Sequence, residues 1–149
     1  IAFESGHVRP VAMTPNGKRL VAVNTPDNSV EVYTVAYGGY LVHLRSIPVG
    51  MEPVAVAARS DSQVWVVNHL SDSVSIVDID EGKVTRTLLV GDEPRDIVFA
   101  GTGVKSARVS RAVTPYDIAS TMANILEIEA PSGSVGEALF EVLPVKKIR

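Results

Sequence analysis

Three histidines, His7, His43 and His69, are the residues of this sequence whose side chains could bind a metal ion or exchange protons near neutral pH. A metal site would need them, or carboxylates, to meet in the folded chain. The sequence has no cysteine, which excludes disulfides, thiolate zinc sites and a cysteine nucleophile together.

Four aspartates, Asp27, Asp72, Asp78 and Asp80, could bind calcium in loops. The segment Asp78-Ile79-Asp80-Glu81-Gly82 places acidic residues two apart before a glycine. It lacks the further ligands of a calcium loop. The pattern therefore favours a solvated turn.

Ser110-Arg111 offers a hydroxyl beside a cation, but no general base lies near it in the sequence. Asp117 is better explained as a carboxylate that caps a helix than as a catalytic acid. We therefore predict no catalytic, cofactor-binding or metal-binding residue and no cofactor.

Composition excludes several classes of protein. Hydrophobic residues make up 46% and charged residues 21%, which is typical of a globular chain and not of a disordered one. The net charge is −3 and no basic cluster stands out before Lys146-Lys147-Ile148-Arg149, so a nucleic-acid partner is not expected. No apolar run approaches the roughly 20 residues that span a bilayer. The chain begins at Ile1 rather than Met, so we expect that an upstream segment was removed or left out.

The elements that must position these residues repeat along the chain. Pro10, Pro53 and Pro94 align, and Gly50 and Gly91 lie three residues before the second and third of these prolines. Residues 20–24 align with 64–68, and residues 28–33 with 72–77. A period of about 40–45 residues is the length of a four-stranded propeller blade.

Each repeat predicts four strands. We expect inner strands at 11–13 and 54–58, second strands at 20–24 and 64–68, a third strand near 74–79 with alternating faces, and an outer strand at 84–90. Turns are expected at 14–17, 37–40 and 80–83. Asn24 and Asn68 are predicted to be structural, and Trp65 to pack between blades. The three histidines fall at three different repeat positions, which favours surface or loop histidines over a metal site.

These blades resemble the YVTN-type seven-bladed propeller repeats of bacterial and archaeal surface or periplasmic proteins. The resemblance covers about residues 7–101. The resemblance rests on these short sequence motifs: Pro15-Asn16-Gly17-Lys18, Val23-Asn24, Val66-Val67-Asn68, Ser73-Val74-Ser75-Ile76-Val77-Asp78 and Val90-Gly91-x-x-Pro94. It implies a periplasmic, extracellular or cell-surface location and leaves the function open.

The period changes after Gly101. Thr114-Pro115-Tyr116-Asp117 predicts a helix start, with Thr as N-cap and Pro at the first helical position. Ile118, Met122, Ile125 and Leu126 then form one apolar stripe. A last strand is expected at 138–143.

This tail resembles the C-terminal end of the alkaline phosphatase, sulfatase and phosphodiesterase superfamily, over about residues 98–143. It is carried by Phe99-Ala100-Gly101-x-Gly103-Val104-Lys105, Val109-Ser110-Arg111-x-Val113, Asp117-Ile118-Ala119-x-Thr121, Leu126-x-Ile128, Pro131-Ser132-Gly133 and Gly136-x-x-Leu139. The resemblance implies a supporting strand–helix–strand. The metal-binding segments of those enzymes are absent from this sequence.

The predicted fold is mainly β: an incomplete β-propeller of two four-stranded blades plus one strand, followed by a small α+β tail with one helix. The propeller part is expected at 1–101, with blades at about 7–50 and 51–91 and a third blade started at 92. The tail is expected at 102–149. Phe99-Ala100-Gly101 fits both parts, so we hypothesise that the join arose by recombination or by an artificial or assembly-derived fusion.

An unclosed propeller leaves an apolar face and strand edges open. Three completions are expected as alternatives: a longer protein, self-association such as a trimer that supplies six blades, or a tail that covers one face. The function expected first is a non-enzymatic binding or scaffold module with a protein partner. The alternative is a remnant or accessory piece of a metal-dependent phosphatase or phosphodiesterase that lacks its active site. A redox accessory protein is a weaker third alternative, because no haem or copper motif supports it.

Overall fold

A computed structural model describes residues 6–99, 112–126, 128–129, 133 and 135–143 of the chain. The chain divides into two compact units, Ile1–Phe99 and Ala100–Arg149. Each unit is described by itself.

The first unit contains two four-stranded antiparallel sheets, each with its strands in sequence order. Blade 1 consists of β1 (Val11–Met13), β2 (Arg19–Asn24), β3 (Ser29–Val35) and β4 (Leu41–Pro48). Blade 2 consists of β5 (Pro53–Ala58), β6 (Gln63–Asn68), β7 (Ser73–Asp78) and β8 (Lys83–Leu89). The two blades predicted from the repeat are confirmed, and the fold is mainly β.

The main core lies between the two blades. Valines that alternate along β2 and β3 point to blade 2, and valines that alternate along β6 and β7 point back. Blade 1 contributes Val21, Val23, Val30, Val32 and Ile47, and blade 2 contributes Val56, Val64, Val66, Val77 and Ile79. The side chains of β7 alternate between two faces as predicted, yet Ser73 through Val77 are all buried. Blade 1 covers one face, and Trp65, Leu88 and Ile97 cover part of the other.

Polar contacts also stabilise the interface between the two blades, at its edges. Arg45 on β4 donates from Nη1 to the carbonyl oxygen of Asp80, at 3.0 Å. Arg19 on β2 pairs with the Asp80 carboxylate at 3.1 Å. The backbone amide of Asn16 donates to Asp61 Oδ1 at 2.8 Å. Blade 1 therefore holds blade 2 through an apolar centre and a polar rim.

A repeated loop contact sets the path from each blade to the next. Asn28 and Asp72 adopt left-handed backbone conformations, with φ of 51° and 47°. Their side chains accept hydrogen bonds from the backbone amides of Glu52 and Glu93, at 2.8 and 2.9 Å. Asn and Asp tolerate this conformation better than most residues, which explains why the repeat places them there.

The prediction of a third-blade strand in 92–101 is not met in the described part. Residues 92–99 contain no strand, and residues 100–101 lie outside the described residues. The physical reason is that a strand needs a ladder partner, and no described segment makes a backbone–backbone hydrogen bond with residues 94–99.

The second unit contains one helix, α1 (Pro115–Leu126). Asp117 accepts from the backbone amide of Thr114 at 2.7 Å, so its predicted capping role is confirmed. The predicted apolar stripe does not supply the buried face: Ile118, Met122 and Leu126 are 57%, 48% and 60% exposed. The described segment 135–143 instead meets the face that carries Asp117 and Thr121.

The last strand expected at 138–143 is also corrected. Residues 135–139 have no regular secondary structure, and Phe140–Val142 forms a 3₁₀ turn. Polar side chains of α1 bind this segment: Thr121 Oγ1 accepts from the Leu139 amide, and Ser120 Oγ donates to the Gly136 carbonyl oxygen. Those contacts hold the segment against a helix rather than in a sheet. The motif at 109–111, which contains Ser110-Arg111, lies outside the described residues.

Candidate functional site

The densest polar cluster centres on Glu31 in β3. Its Oε1 accepts from Asn24 Nδ2 at 3.2 Å and from Ser29 Oγ at 3.0 Å. Its Oε2 accepts from His43 Nε2 at 2.8 Å and from Ser46 Oγ at 2.5 Å. β2, β3 and β4 bring these five residues to one face of blade 1.

Glu31 is firmly ionised. Partial burial raises the pKa of this carboxyl, but hydrogen bonds from Ser46, Asn24, His43 and Ser29 outweigh that effect and lower the pKa to about 2. Both oxygens already hold two donors each. The carboxylate therefore serves as a structural anchor and has no free lone pair for a substrate or a cation.

Ser46, His43 and Glu31 combine the residue types of a hydrolase triad, but their geometry differs. In a triad the acid binds Nδ1 of the histidine and the serine binds Nε2. Here both partners meet Nε2, with Ser46 Oγ at 3.5 Å and Glu31 Oε2 at 2.8 Å. Ser46 donates its proton to Glu31, so His43 cannot act as its base.

His69 is buried at the end of β6, with 5% of its surface exposed. Its Nδ1 lies 3.2 Å from the carbonyl oxygen of Pro94, which can only accept, so Nδ1 carries the proton. Its Nε2 lies 3.5 Å from Arg95 Nη2 and 3.9 Å from Glu93 Oε2. Thr25, at the same repeat position, donates to the Pro53 carbonyl oxygen at 2.7 Å. His69 therefore binds the Pro94 carbonyl, at the start of the segment after blade 2, as Thr25 binds the Pro53 carbonyl at the start of blade 2.

His7 binds a different partner. Thr25 Oγ1 gives its proton to Pro53, so it accepts from His7 Nε2 at 2.6 Å. Each of the three histidines thus has its own local partner. Among the described residues, no group of three or more His, Asp or Glu could hold a metal ion.

Three of the four aspartates considered for calcium bind protein groups through their carboxylates. Asp78 Oδ1 accepts from the backbone amides of Asp80 and Glu81, both at 2.9 Å, which is an Asx turn. Asp72 binds the Glu93 amide and Asp80 pairs with Arg19. The Asp27 amide donates to the Asn24 carbonyl oxygen in a tight turn.

The two strand-ending asparagines bind side chains rather than the nearby backbone. Asn68 is fully buried and donates to Ser73 Oγ at 3.1 Å and Ser75 Oγ at 2.9 Å. Asn24 contacts Glu31 in the equivalent place. Glu31 thus stands in blade 1 where blade 2 has the buried Ser75.

The prediction that Trp65 packs between blades is wrong for the two described blades. Side chains alternate along β6, so Val64 and Val66 point to blade 1 and Trp65 must point away. Trp65 packs beside a second apolar cluster and meets the Phe99 ring edge-on, with centroids 5.4 Å apart. It marks the outer face of blade 2.

That outer face holds an open groove of about 520 Å³. Trp65, Ile76 and Leu88 line its apolar part, and Arg86 lies at its side. Arg86 has no hydrogen-bond or ion-pair partner among the described residues. The groove is lined by Arg59, Gln63, Trp65, Ile76, Thr85, Arg86, Leu88 and Phe99.

The outer face of blade 2 can be compared with blade 1 through the repeat. Trp65, Val67, Val74 and Ile76 occupy the repeat positions of Val21, Val23, Val30 and Val32, which form the blade 1 side of the core. Arg86 faces Ile76 across β7 and β8 as Arg45 faces Val32 across β3 and β4. The outer face of blade 2 therefore repeats the face by which blade 1 binds blade 2.

Sequence reasoning did not single out Glu31, Arg45 or Arg86. The signal was present in the repeat: Arg45 and Arg86 precede Gly50 and Gly91 by five residues each, so they align when the blades are superposed. Glu31 could have been found as the charged residue at a position that is serine in the second repeat.

In the described residues, α1 is too short to span a bilayer, and no helix meets the length and hydropathy of a membrane-spanning segment.

Comparisons with known proteins give the fold and no family. No protein-family model matches the chain. A 46-residue stretch, 31% of this chain and 8% of the relative, is 44% identical to a calcium-transporting ATPase of Myroides odoratus. The chain therefore spans a small fraction of that protein.

Two solved structures are similar over about two thirds of the chain. The first is hydrazine synthase of Kuenenia stuttgartiensis, with 29% identity and a TM-score of 0.53, covering 64% of this chain and 29% of that one. The second is the periplasmic gluconolactonase of Pseudomonas aeruginosa, with 27% identity and a TM-score of 0.54, covering 68% and 31%. The chain spans less than a third of either. The described β-sheets thus have a β-propeller-like fold, and both similar proteins are enzymes by name.

Proposed function

We propose that this chain is a non-enzymatic binding or scaffold module built on propeller blades, and that it binds through the outer face of blade 2. The observation that carries the proposal is the repeat equivalence of that face with the blade 1 side of the core. A face with the same apolar positions and the same arginine is expected to bind the same kind of surface, a valine-lined sheet.

The polar clusters support binding over catalysis. Glu31, His69 and Asp72 each use their side chains to hold neighbouring loops or strands. A catalytic acid or base needs a position from which a proton can reach a substrate. The hydrogen bonds of these three side chains are instead made to other groups of the protein.

Self-association as a trimer is disfavoured by one contact. A neighbouring copy that docked its blade 1 on blade 2 would have to place its β1 beside β5. Ile97 already packs against the cluster that includes Val54 and Ala55 of β5. This contact argues against the ring arrangement only. We therefore favour an arrangement in which a partner, or the same face of a second copy, covers the groove beside this segment.

A periplasmic or cell-surface location is part of the proposal. Its support is the YVTN-type resemblance and the likeness to a gluconolactonase described as periplasmic. Fractionation of cells that express the full-length parent protein tests it, and recovery in the cytosol would contradict it.

Multi-angle light scattering across a dilution series tests the binding surface. We expect concentration-dependent association of the purified chain. Arg86→Glu should abolish it, because it reverses the charge of an exposed residue in the groove and leaves the core unchanged. Lys18→Glu, on the exposed turn of blade 1, should associate like the original chain. A monomer at every concentration that also captures no partner would overturn the proposal.

The alternative is a remnant or accessory piece of a metal-dependent phosphatase or phosphodiesterase. It is favoured by the resemblance of the tail and by the 46-residue match to a protein named as an ATPase. Hydrolysis of p-nitrophenyl phosphate with added zinc, manganese or calcium distinguishes it from the first proposal, since a binding module should show only background hydrolysis.

A further inference from the structure

Residues 94–97 lie where the inner strand of a third blade belongs. Two hydrogen bonds by which blade 2 begins on blade 1 recur one repeat later. The Glu93 amide binds Asp72 as the Glu52 amide binds Asn28. The Pro94 carbonyl accepts from His69 as the Pro53 carbonyl accepts from Thr25.

The packing contacts recur as well. Ile97, three residues after its proline, packs on the outer cluster of blade 2 as Val56 packs on blade 1. Glu93 also repeats the left-handed backbone of Glu52, with φ of 47° against 51°. Asp96 adds an ion pair with Arg9, at 2.9 Å, which ties the segment to the start of blade 1.

Residues 94–99 make no backbone–backbone hydrogen bond with another described segment; the Ile97 amide donates only to Asp96 Oδ1, at 2.8 Å. In blade 2 the inner strand β5 pairs along β6, from Pro53 with Asn68 to Ala58 with Val64. Residues 94–99 have no such strand beside them. A segment that is packed on one side and lacks a ladder partner at its edge is a template for another strand.

The groove lies where the remaining three strands of that blade would pack. Trp65, Ile76 and Leu88 form its floor and Arg86 its side. In the interface between blades 1 and 2, Arg45 reaches the turn between the third and fourth strands and donates to the Asp80 carbonyl. A Cβ on Gly82 would lie 2.5 Å from Arg45 Nη1, so a side chain at this position would displace the arginine from its contact. Arg86 is placed to make the same contact with the next turn.

We propose that the binding surface is an incomplete third blade, and that its partner is a three-stranded antiparallel sheet that takes residues 94–99 as its inner strand. The partner sheet presents a valine-lined face and a glycine-containing turn for Arg86. The inference rests on the proposed function and adds the identity of the partner surface. It differs from the stacking of two complete blades, because the bound sheet lacks an inner strand of its own.

A peptide of this chain provides the probe. Residues 60–90 contain β6–β8 with the inward valines and the Asp80–Gly82 turn, the surface that blade 1 already binds. The peptide carries Trp65→Phe. Because the sequence has one tryptophan, the fluorescence of the whole chain then reports Trp65 alone.

We expect saturable binding with a blue shift of the Trp65 emission and with slowed hydrogen exchange at the amides of residues 95–99. Arg86→Ala in the chain should weaken binding about tenfold, the loss of one charged hydrogen bond. Lys18→Ala should leave the affinity unchanged. A scrambled peptide of the same composition should not bind.

Each contrary result has one meaning. Absence of saturable binding, equal binding of the scrambled peptide, or binding without protection of residues 95–99 would overturn the incomplete-blade inference. If Arg86→Glu still abolished association in light scattering, the proposed binding surface would stand while this partner would be wrong. Loss of both signals in the original chain would overturn both.

Discussion

Arg45 Nη1 donates to the carbonyl oxygen of Asp80 across the blade interface, at 3.0 Å, and lies against the face of Gly82. The contact is possible because Gly82 has no side chain and adopts φ of 72°. One glycine thus serves both the turn of blade 2 and the interface with blade 1.

Gly82→Ala should therefore lower the free energy of unfolding by about 1–2 kcal/mol, from backbone strain at positive φ and displacement of Arg45. Urea denaturation followed by circular dichroism measures it. Gly17→Ala is the matched control, because Gly17 has a similar φ of 70° and a Cβ there meets only Met13 Sδ, at 3.9 Å. Equal losses in the two variants would show that the Arg45 contact does not matter.

Glu31 should make stability depend on acid pH. Its pKa is about 2 in the folded chain, below the ordinary value of 4.5, so ionised Glu31 stabilises the fold above pH 4.5. This stabilisation is lost as the pH falls from 4.5 towards 2, because the unfolded chain then binds the proton first. Glu31→Gln should lower stability at pH 7 by about 1–2 kcal/mol and flatten the pH dependence in that window.

Stability of both proteins at each pH can be read from urea midpoints. Glu81→Gln, on an exposed turn, should keep the original slope between pH 4.5 and 2. A Glu31→Gln variant with that same slope would contradict the assignment of the low pKa to this cluster.

Asn28 combines a left-handed backbone with a hydrogen bond to the Glu52 amide. Asn28→Gly keeps the backbone freedom and loses the bond, whereas Asn28→Ala loses the bond and adds strain. We expect costs of about 1 kcal/mol for Gly and about 2 kcal/mol for Ala. Thermal unfolding of the pair measures the order, and a larger cost for Gly than for Ala would refute this account of the loop.

Gly136 should control the second unit. A Cβ there would overlap the backbone carbonyl group of Tyr116. Gly136→Ala should displace the segment 135–143 from α1 and expose the amides of Glu137 and Leu139 to exchange. Gly133→Ala, with open space around its Cβ, should leave that exchange unchanged.

Much of the fold could be predicted from the sequence because the repeat carries it. The spacing of Pro10, Pro53 and Pro94 sets the blade length, and the valine patterns of β2 and β6 set the strands. These are local properties: a strand with alternating valines has the same two faces wherever it packs. The helix start at Thr114 is local in the same way, because the cap and its partner Asp117 lie within one turn.

The tertiary structure decided what could not be read locally. Whether Trp65 faces another blade or a groove depends on which side of β6 the first blade occupies. Whether residues 94–99 form a strand depends on a ladder partner that lies outside the segment itself. The donors around Glu31 come from three strands, so its low pKa arises only when the sheet assembles. Composition and spacing thus determined the blades, while packing partners determined which of their faces is a core, which is a groove and which charges are held.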